Sequence, residues 1–372
     1  MSKWKTLGIG LLVIAIGLTV IFAVYSKRNA RAIKEAEEAM AAQAAEAAGP
    51  EAAEMIYEAS NGIMPGMYVG PEYLAKDELI HNEDGTVTWN GETWKRNTYM
   101  HAILCLGVDK KRNLQGAEQD GDTGATDGIF LIAHDTAHDL LKVLMIPRDS
   151  MLYIDIPGPD GNTIRQYDHL SLAFMDGEGR EKSAEASLRA VEDLLCGLNV
   201  NHYMAGDLAI LADVNDLVGG VKVTVPSDEL TKVNPDWTKG TEITLHGDEA
   251  EKFIRYRDCN IEGSPVERMS QHKAYIEGFY NVLLAGSKVD SSLVIKLCDT
   301  IEKSIVSDMS KGEYERLALD GLKCGFNTQE DIITLPGTAT TGEENGVTYD
   351  QYYIDYEQTI PVLLELFYRK AD

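Results

Sequence analysis

The sequence predicts an α/β fold: a mixed central β-sheet flanked by helices, preceded by one N-terminal transmembrane helix. Three observations predict it. The apolar runs Ile103–Val108, Gly128–Ala133 and Leu140–Ile146 each stop abruptly near charge, as buried strands do where they leave a sheet. Downstream, segments with helical apolar spacing alternate with strand-like runs, the pattern of an α/β domain. Near the N-terminus, Leu7–Tyr25 runs for 19 residues without a charge, long enough to cross a bilayer as one helix.

That span is the first element. A cleaved signal peptide is the alternative reading. Ser26–Lys27–Arg28 follow directly and supply no small-residue cleavage pattern, so an uncleaved anchor is expected. Lys3 and Lys5 precede the span, while Lys27, Arg28, Arg31 and Lys34 follow it. Charge bias alone would therefore place the C-terminal side in the cytoplasm. Asn29–Ala48 is half alanine, with Glu and Lys and no Pro or Gly. It reads as a helical spacer closed by Gly49–Pro50. A coiled coil is the alternative, but large apolar a/d residues are missing. Thr86–Trp94 carries Asn90–Gly91, the strongest short hairpin signal, and is expected on the edge of the main sheet.

The three apolar runs read as an antiparallel meander. The first strand leaves the sheet at Asp109, and the loop 110–126 brings the chain back, so Asp127 enters the second strand at the same edge. A turn at His134–Asp139 reverses it, and Leu140–Ile146 returns. Pro147 lacks an N–H and suits a strand exit. Asp109, Asp127 and Arg148 then gather at one edge, which suggests a phosphate-and-metal site. Charge at a strand end can also simply meet water, but three such residues on one edge are less easily dismissed. Further on, helices are expected over Glu181–Cys196, Leu208–Leu217, Leu245–Tyr256 and Gln271–Leu284, with a strand at Val221–Pro226. An extended segment, Ile332–Val347, precedes a last helix near Thr359–Arg369. The expected organisation is 1–28 stub and anchor, 29–60 spacer, 61–97 accessory hairpin segment, 98–330 main domain and 331–372 C-terminal extension.

A net charge of −26 over 372 residues argues against nucleic acid, which needs a basic surface. Any polyanion site must be a local arginine pocket or use a bound cation. The five cysteines are scattered without a Cys-x-x-Cys pair, so a zinc site is not expected. Cys105, in mid-strand, reads as a small core residue.

Asp109 and Asp127 are the metal candidates, since Mg2+ takes a few carboxylates together with waters and phosphate oxygens. The loop Glu118–Gly124 holds only a fragment of a calcium-loop pattern and reads as a solvated acidic loop. His134 and His138 read as surface turn residues. Arg255 and Arg257 end an apolar–charged helix, where arginines complement the dipole; they could also grip a pyrophosphate if the helix ends between them. No P-loop, nucleophile elbow or HExxH is present.

Together these pieces resemble the LytR–CpsA–Psr family of cell-envelope phosphotransferases. The matching segments are ILCLGVD (103–109), TDGIFLIAHD (126–135), KVLMIPRDSM (142–151), LLCGLNVNHYMAGD (194–207), LVGGVKVTVP (217–226) and LHGDEAEKFIRYRD (245–258), followed by ERMSQ (267–271). The resemblance implies transfer of a glycan phosphate from a polyprenyl pyrophosphate carrier to peptidoglycan, with release of polyprenyl phosphate. It implies a single-pass anchor in the cytoplasmic membrane and an extracytoplasmic catalytic domain, against the charge bias. It also implies Asp109 and Asp127 as Mg2+ ligands, and Arg148, Arg255, Arg257 and Arg268 as the pyrophosphate grip. Asp149 and Asp258 are candidates for a general base, or for orienting their neighbouring arginines.

The sequence departs from the family pattern in three places. Ala125–Thr126–Asp127 stands where Arg-Ser-Asp is common, and Arg268–Met269–Ser270–Gln271–His272 stands where Arg-x-x-Arg-Gln is common, so Gln271 takes the place of a second arginine. Tyr167–Leu170 replaces a Lys-Ile-Asn-like stretch. With fewer cations, two other readings stay open: a non-catalytic polyprenyl-pyrophosphate-binding or regulatory protein, and a pyrophosphate hydrolase.

Overall fold

The computed structural model describes residues 79–109, 124–157, 163–176, 181–208, 210–256, 264–344 and 347–371. The span Leu7–Tyr25, the spacer, the acidic loop up to Thr123, Arg257, Asp258 and Cys259 lie outside them. Among the described residues no helix is long and apolar enough to cross a membrane. Every described residue falls in one compact unit, Pro71–Pro157 with Thr163–Asp372.

In chain order the strands are β1 (Ile80–His81), β2 (Thr86–Trp89), β3 (Glu92–Arg96), β4 (Met100–Val108), β5 (Thr126–Asp135), β6 (Leu140–Met145), β7 (Met151–Pro157) and β8 (Thr163–His169). A 3₁₀ turn, Leu170–Asp176, leads to helix α1 (Glu181–Leu194), β9 (His202–Asp207), α2 (Ile210–Leu217), β10 (Val221–Thr224) and β11 (Glu242–Leu245). Then come α3 (Glu249–Arg255), α4 (Ser264–Val289), α5 (Leu293–Ile301), β12 (Ile305–Ser307) and α6 (Lys311–Gly321). The chain closes with β13 (Ile332–Thr334), β14 (Gly337–Glu344), β15 (Val347–Ile354), α7 (Tyr356–Phe367) and β16 (Tyr368–Lys370).

The meander forms as expected and lies at the centre of a six-stranded sheet of order β12-β9-β4-β5-β6-β13. β4 pairs antiparallel with β5, and β5 with β6, while β9 and β13 join in parallel. The sheet is therefore mixed. Because side chains alternate along a strand, each meander strand feeds two cores. Ala102, Leu104, Leu106, Ile129, Leu131 and Leu144 pack with α1 and α7. Ile103, Cys105 and Ile132 face the other way, toward α5 and α6.

Several expectations need correction. The hairpin forms with Asn90 at φ 49° and Gly91 at φ 77°, the left-handed pair that a tight hairpin turn demands. It does not sit on the edge of the central sheet. It belongs to a separate sheet, β1-β2-β3-β16, whose last strand comes from the C-terminus. The helix expected from Leu245 begins only at Glu249, because Leu245 ends β11 and pairs with Val221. The helix expected over Gln271–Leu284 is longer at both ends. The first helix stops at Leu194, and Cys196 lies beyond it in the left-handed region. Arg369 lies in β16, not in the last helix. His134 is no surface turn residue: it is a buried part of β5. His138 is exposed in the turn and binds Asp135 at 3.0 Å.

Candidate functional site

The edge where β4 and β5 end is prepared by their register. Asp109 follows β4, and its N–H still donates to the Ala125 carbonyl at 2.9 Å. A bulge between Gly107 and Val108 shifts the pairing, so that Val108 faces Thr126 and Asp127 follows at the same edge. After β6, Pro147 opens a tight turn whose carbonyl accepts from the Ser150 N–H at 3.1 Å and hydroxyl at 2.7 Å. That turn holds Arg148 and Asp149 beside β5. Arg255 is the last residue of α3, and Arg268 lies early in α4.

These six side chains form a ladder of alternating charge. The Arg255 guanidinium reaches Asp109 Oδ2 at 2.5 Å and Asp127 Oδ2 at 3.5 Å. Asp127 Oδ1 is in direct contact with Arg148 Nη1. Arg148 Nε donates to Asp149 Oδ1 at 3.2 Å, and Arg268 Nη2 to Asp149 Oδ2 at 3.1 Å. Glu251, one turn before Arg255, adds a bond at 2.8 Å. Burial alone would lower the Arg255 pKa, but the Glu251 hydrogen bond and the Asp109 and Asp127 charges outweigh it and raise it.

Exposure falls along the ladder. The side chain of Asp109 is 37% exposed and that of Arg255 30%, whereas Asp149 is 4% and Arg268 8%. The open end can meet a ligand; the buried end fixes Arg148. Asp149, enclosed between two guanidiniums, orients them and is poorly placed to take a proton from an acceptor. The structure thus brings together Asp109, Asp127, Arg148, Asp149, Arg255 and Arg268, while Arg257 lies outside the described residues.

Sequence reasoning missed a second set. His272, one turn after Arg268, registered only as the last residue of the altered Arg-x-x-Arg-Gln stretch, in which Gln271 replaces the arginine. Its Nε2–H donates to the Ile254 carbonyl at 3.1 Å. With its amide nitrogen turned toward α3, Gln271 donates to the Phe253 and Tyr256 carbonyls at 3.1 Å each. Two α4 side chains thereby cap carbonyls at the end of α3 that helix geometry leaves without partners, and so they fix Arg255. His272 keeps only the surface it turns to a cavity. Burial, reinforced by Arg268, pushes its pKa down to about 4, so it is neutral at pH 7. The i, i+4 spacing of Arg268 and His272 was the signal available.

The cavity measures about 490 Å³ and lies between the sheet and helices α4, α5 and α6. Asp127, Arg255 and His272 line one part of it; Phe130, Met145, Ile276, Phe279 and Leu283 line the rest among other apolar residues. Cys105 opens onto it as well, so it is a cavity wall residue as much as a core one, and burial pushes its thiol up to about 12. The arrangement can hold an anionic group at the ladder and a long apolar group behind it.

A model of the LytR_cpsA_psr family matches residues 73–360. TagU of Oceanobacillus iheyensis, named a polyisoprenyl-teichoic acid–peptidoglycan teichoic acid transferase, is 26% identical over 234 residues. The match takes in 61% of this chain and 65% of that protein's length. Among solved structures, gbs0355 from Streptococcus agalactiae has a TM-score of 0.57 at 19% identity, covering 72% of this chain and 87% of its own. TagT bound to LI-WTA has a TM-score of 0.52 at 21% identity, covering 72% and 90%. These structural likenesses bear on the fold, the mixed sheet with its flanking helices. With the family model spanning most of the sequence, the chain belongs to the LytR_cpsA_psr family.

Proposed function

We propose that this protein is a membrane-anchored, extracytoplasmic phosphotransferase that moves a glycopolymer phosphate from a polyprenyl pyrophosphate carrier onto peptidoglycan. The observation that carries this reading is the apolar cavity with the arginine–aspartate ladder at one end. A polyprenyl pyrophosphate has the matching form, an anionic head on a long apolar tail. The transferase name of the Oceanobacillus relative supports the same reading. Leu7–Tyr25 would be the single-pass anchor in the cytoplasmic membrane, with the described domain outside.

Arg148 and Arg255 would release part of their carboxylate pairing and take the pyrophosphate oxygens. Guanidinium forks match phosphate geometry, and at this partly buried site their charge is screened less than at a free surface. Asp149, braced by Arg268, keeps Arg148 aimed. An acceptor sugar hydroxyl attacks the glycan-bearing phosphorus and its proton is released to solvent; the P–O–P bond breaks and polyprenyl phosphate leaves. The guanidiniums would neutralise charge developing on the transferred phosphoryl group.

Asp109 and Asp127 would hold Mg2+. The donor set fits: both carboxylates reach the same Arg255 guanidinium, so they face a common point, and carboxylate oxygens are the ligands this ion prefers. When bound, the ion would supply further positive charge at the phosphoryl group. A second reading, a lipid-binding member without turnover, is favoured by Gln271, an uncharged residue where the family pattern has a second arginine.

The test is transfer from a labelled polyprenyl-pyrophosphate glycan to peptidoglycan fragments, using the full chain in detergent. Asp127→Ala and Arg148→Ala are each expected to cut transfer by about 100-fold or more, with unchanged thermal unfolding. Normal rates in both would remove the site assignment. Lipid binding without any product would favour the second reading.

A further inference from the structure

The hairpin β14–β15 reaches the site from outside the central sheet. The Tyr352 N–H donates to the Asp149 carbonyl at 2.8 Å, and Ser150 bridges Tyr352 in parallel. Tyr352 and Ile354 turn inward and are buried. By strand alternation, Tyr349, Gln351 and Tyr353 turn outward. The register places Thr338 opposite Tyr353, Thr340 opposite Gln351 and Gly342 opposite Tyr349. Three successive rungs therefore present two tyrosines, a glutamine, two threonines and a glycine.

This face has an unusual chemistry for its setting. Water-facing sheet surfaces usually carry charge, and this chain has a net charge of −26. These three rungs carry none. Tyr349 is 44% exposed although it is a large aromatic. Its ring stands 6.4 Å from that of His169, which borders the face and is held between Asp168 at 2.8 Å and the Asp350 carbonyl at 2.7 Å. The Tyr353 hydroxyl donates to Gln351 Oε1 at 3.2 Å, so those polar groups are already ordered. Gln351 lies over Gly342, where a Cβ would come within 2.6 Å of its amide nitrogen.

We infer that the outward face of β14–β15 is the landing surface for the acceptor, and that it takes the glycan part of peptidoglycan, an uncharged chain of N-acetylated sugars. This rests on the transferase reading above. A sugar ring offers apolar C–H faces and a rim of hydroxyl and amide groups. The exposed Tyr349 ring, with the half-buried Tyr353 ring beside it, matches the first; the Gln351 amide and the Thr338, Thr340 and Tyr353 hydroxyls match the second. An anionic or cationic partner would find no counter-charge on these rungs. The position is also suitable. Tyr349 lies three residues along the strand from Tyr352, about 10 Å at the rise of a strand, roughly the span of two sugars. A chain seated there would run to the residue that aims Arg148.

The test separates this from the transferase reading because binding is measured without turnover. The full chain in detergent is titrated calorimetrically with a tetramer of β-1,4-linked N-acetylglucosamine and, separately, with a stem peptide lacking sugar. The tetramer is expected to bind, and Tyr349→Ala to weaken it about five- to tenfold, with Tyr349→Phe close to the parent. In transfer assays Tyr349→Ala should raise KM for the acceptor and leave KM for the lipid donor unchanged. Equal tetramer binding by Tyr349→Ala, or binding of the stem peptide alone, would overturn the inference. Tetramer binding weakened by Tyr349→Ala in a protein that transfers nothing would uphold the surface and count against the transferase reading only.

Discussion

Asp149 and His272 show how single residues divide the work at the site. Asp149 is 3% exposed and has a guanidinium on each side, so its role is to aim Arg148. His272 contributes no charge; it anchors Arg255 through the Ile254 carbonyl. Its depressed pKa has a consequence for stability. The unfolded chain carries this imidazole at its ordinary value near 6.5, while the folded protein holds it near 4. Between those values the unfolded state binds the extra proton, so stability falls as pH drops from about 6.5 toward 4 and is unaffected by this group above that window. Across the full window the effect is on the order of 3 kcal/mol. His272→Gln, which keeps an N–H for Ile254, should flatten the loss of thermal stability between pH 7 and pH 5. An unchanged slope in that variant would mean the imidazole protonates freely in the fold. Most of the charged residues of the ladder were legible from the sequence, because charge at the end of an apolar run is a local signal. His272 and Gln271 were not, because their partners are carbonyls on another helix.

At the scale of elements, α4 does the most. Its N-terminal part carries Arg268, then Gln271 and His272, while Ile276, Phe279 and Leu283 further along form cavity wall. Gly278 lets it lie against β10, where a Cβ would collide with the Lys222 carbonyl. One helix thus couples the anion-binding end to the apolar end. The apolar spacing showed that a helix exists here but not what it faces, since a core stripe and a cavity wall have the same period. Ile276→Trp tests the difference. A larger ring should fill part of the cavity and raise KM for a long-chain polyprenyl donor about tenfold or more, while a donor with a short prenyl chain is less affected. Equal effects on both donors would place the tail elsewhere. The meander, the Asn90–Gly91 turn and the existence of most helices were legible for the same local reasons. The starts of α3 and the end of α1 were not, because strand pairing by Leu245 and a left-handed turn at Cys196 override helical spacing.

At the scale of the whole molecule, the C-terminal segment is bound into the fold at several places. β13 pairs with β6 along Val143–Met145, the strand that leads into the Arg148 turn. Helix α7 buries Ile360, Leu363, Leu364 and Phe367 in the same core as α1 and the meander. β16 completes the N-terminal hairpin sheet by pairing with β3. None of these pairings has a local signature, which is why residues 331–372 read as an extension from the sequence. Four large apolar side chains lost from a core amount to roughly 6–12 kcal/mol of burial, comparable to the whole stability of an ordinary domain. A chain ending at Asp331 should therefore fail to fold, giving no cooperative unfolding transition by circular dichroism and no lipid binding. A chain ending at Tyr368 keeps α7 and most of this core while losing most of β16; it should fold with reduced stability, and its transfer rate at low temperature should stay near that of the intact protein. If the Asp331 truncation unfolded cooperatively, the tail would be an appendage despite its contacts, and the Arg148 turn would have to be held by its neighbours earlier in the chain, Arg268 and the 3₁₀ turn among them.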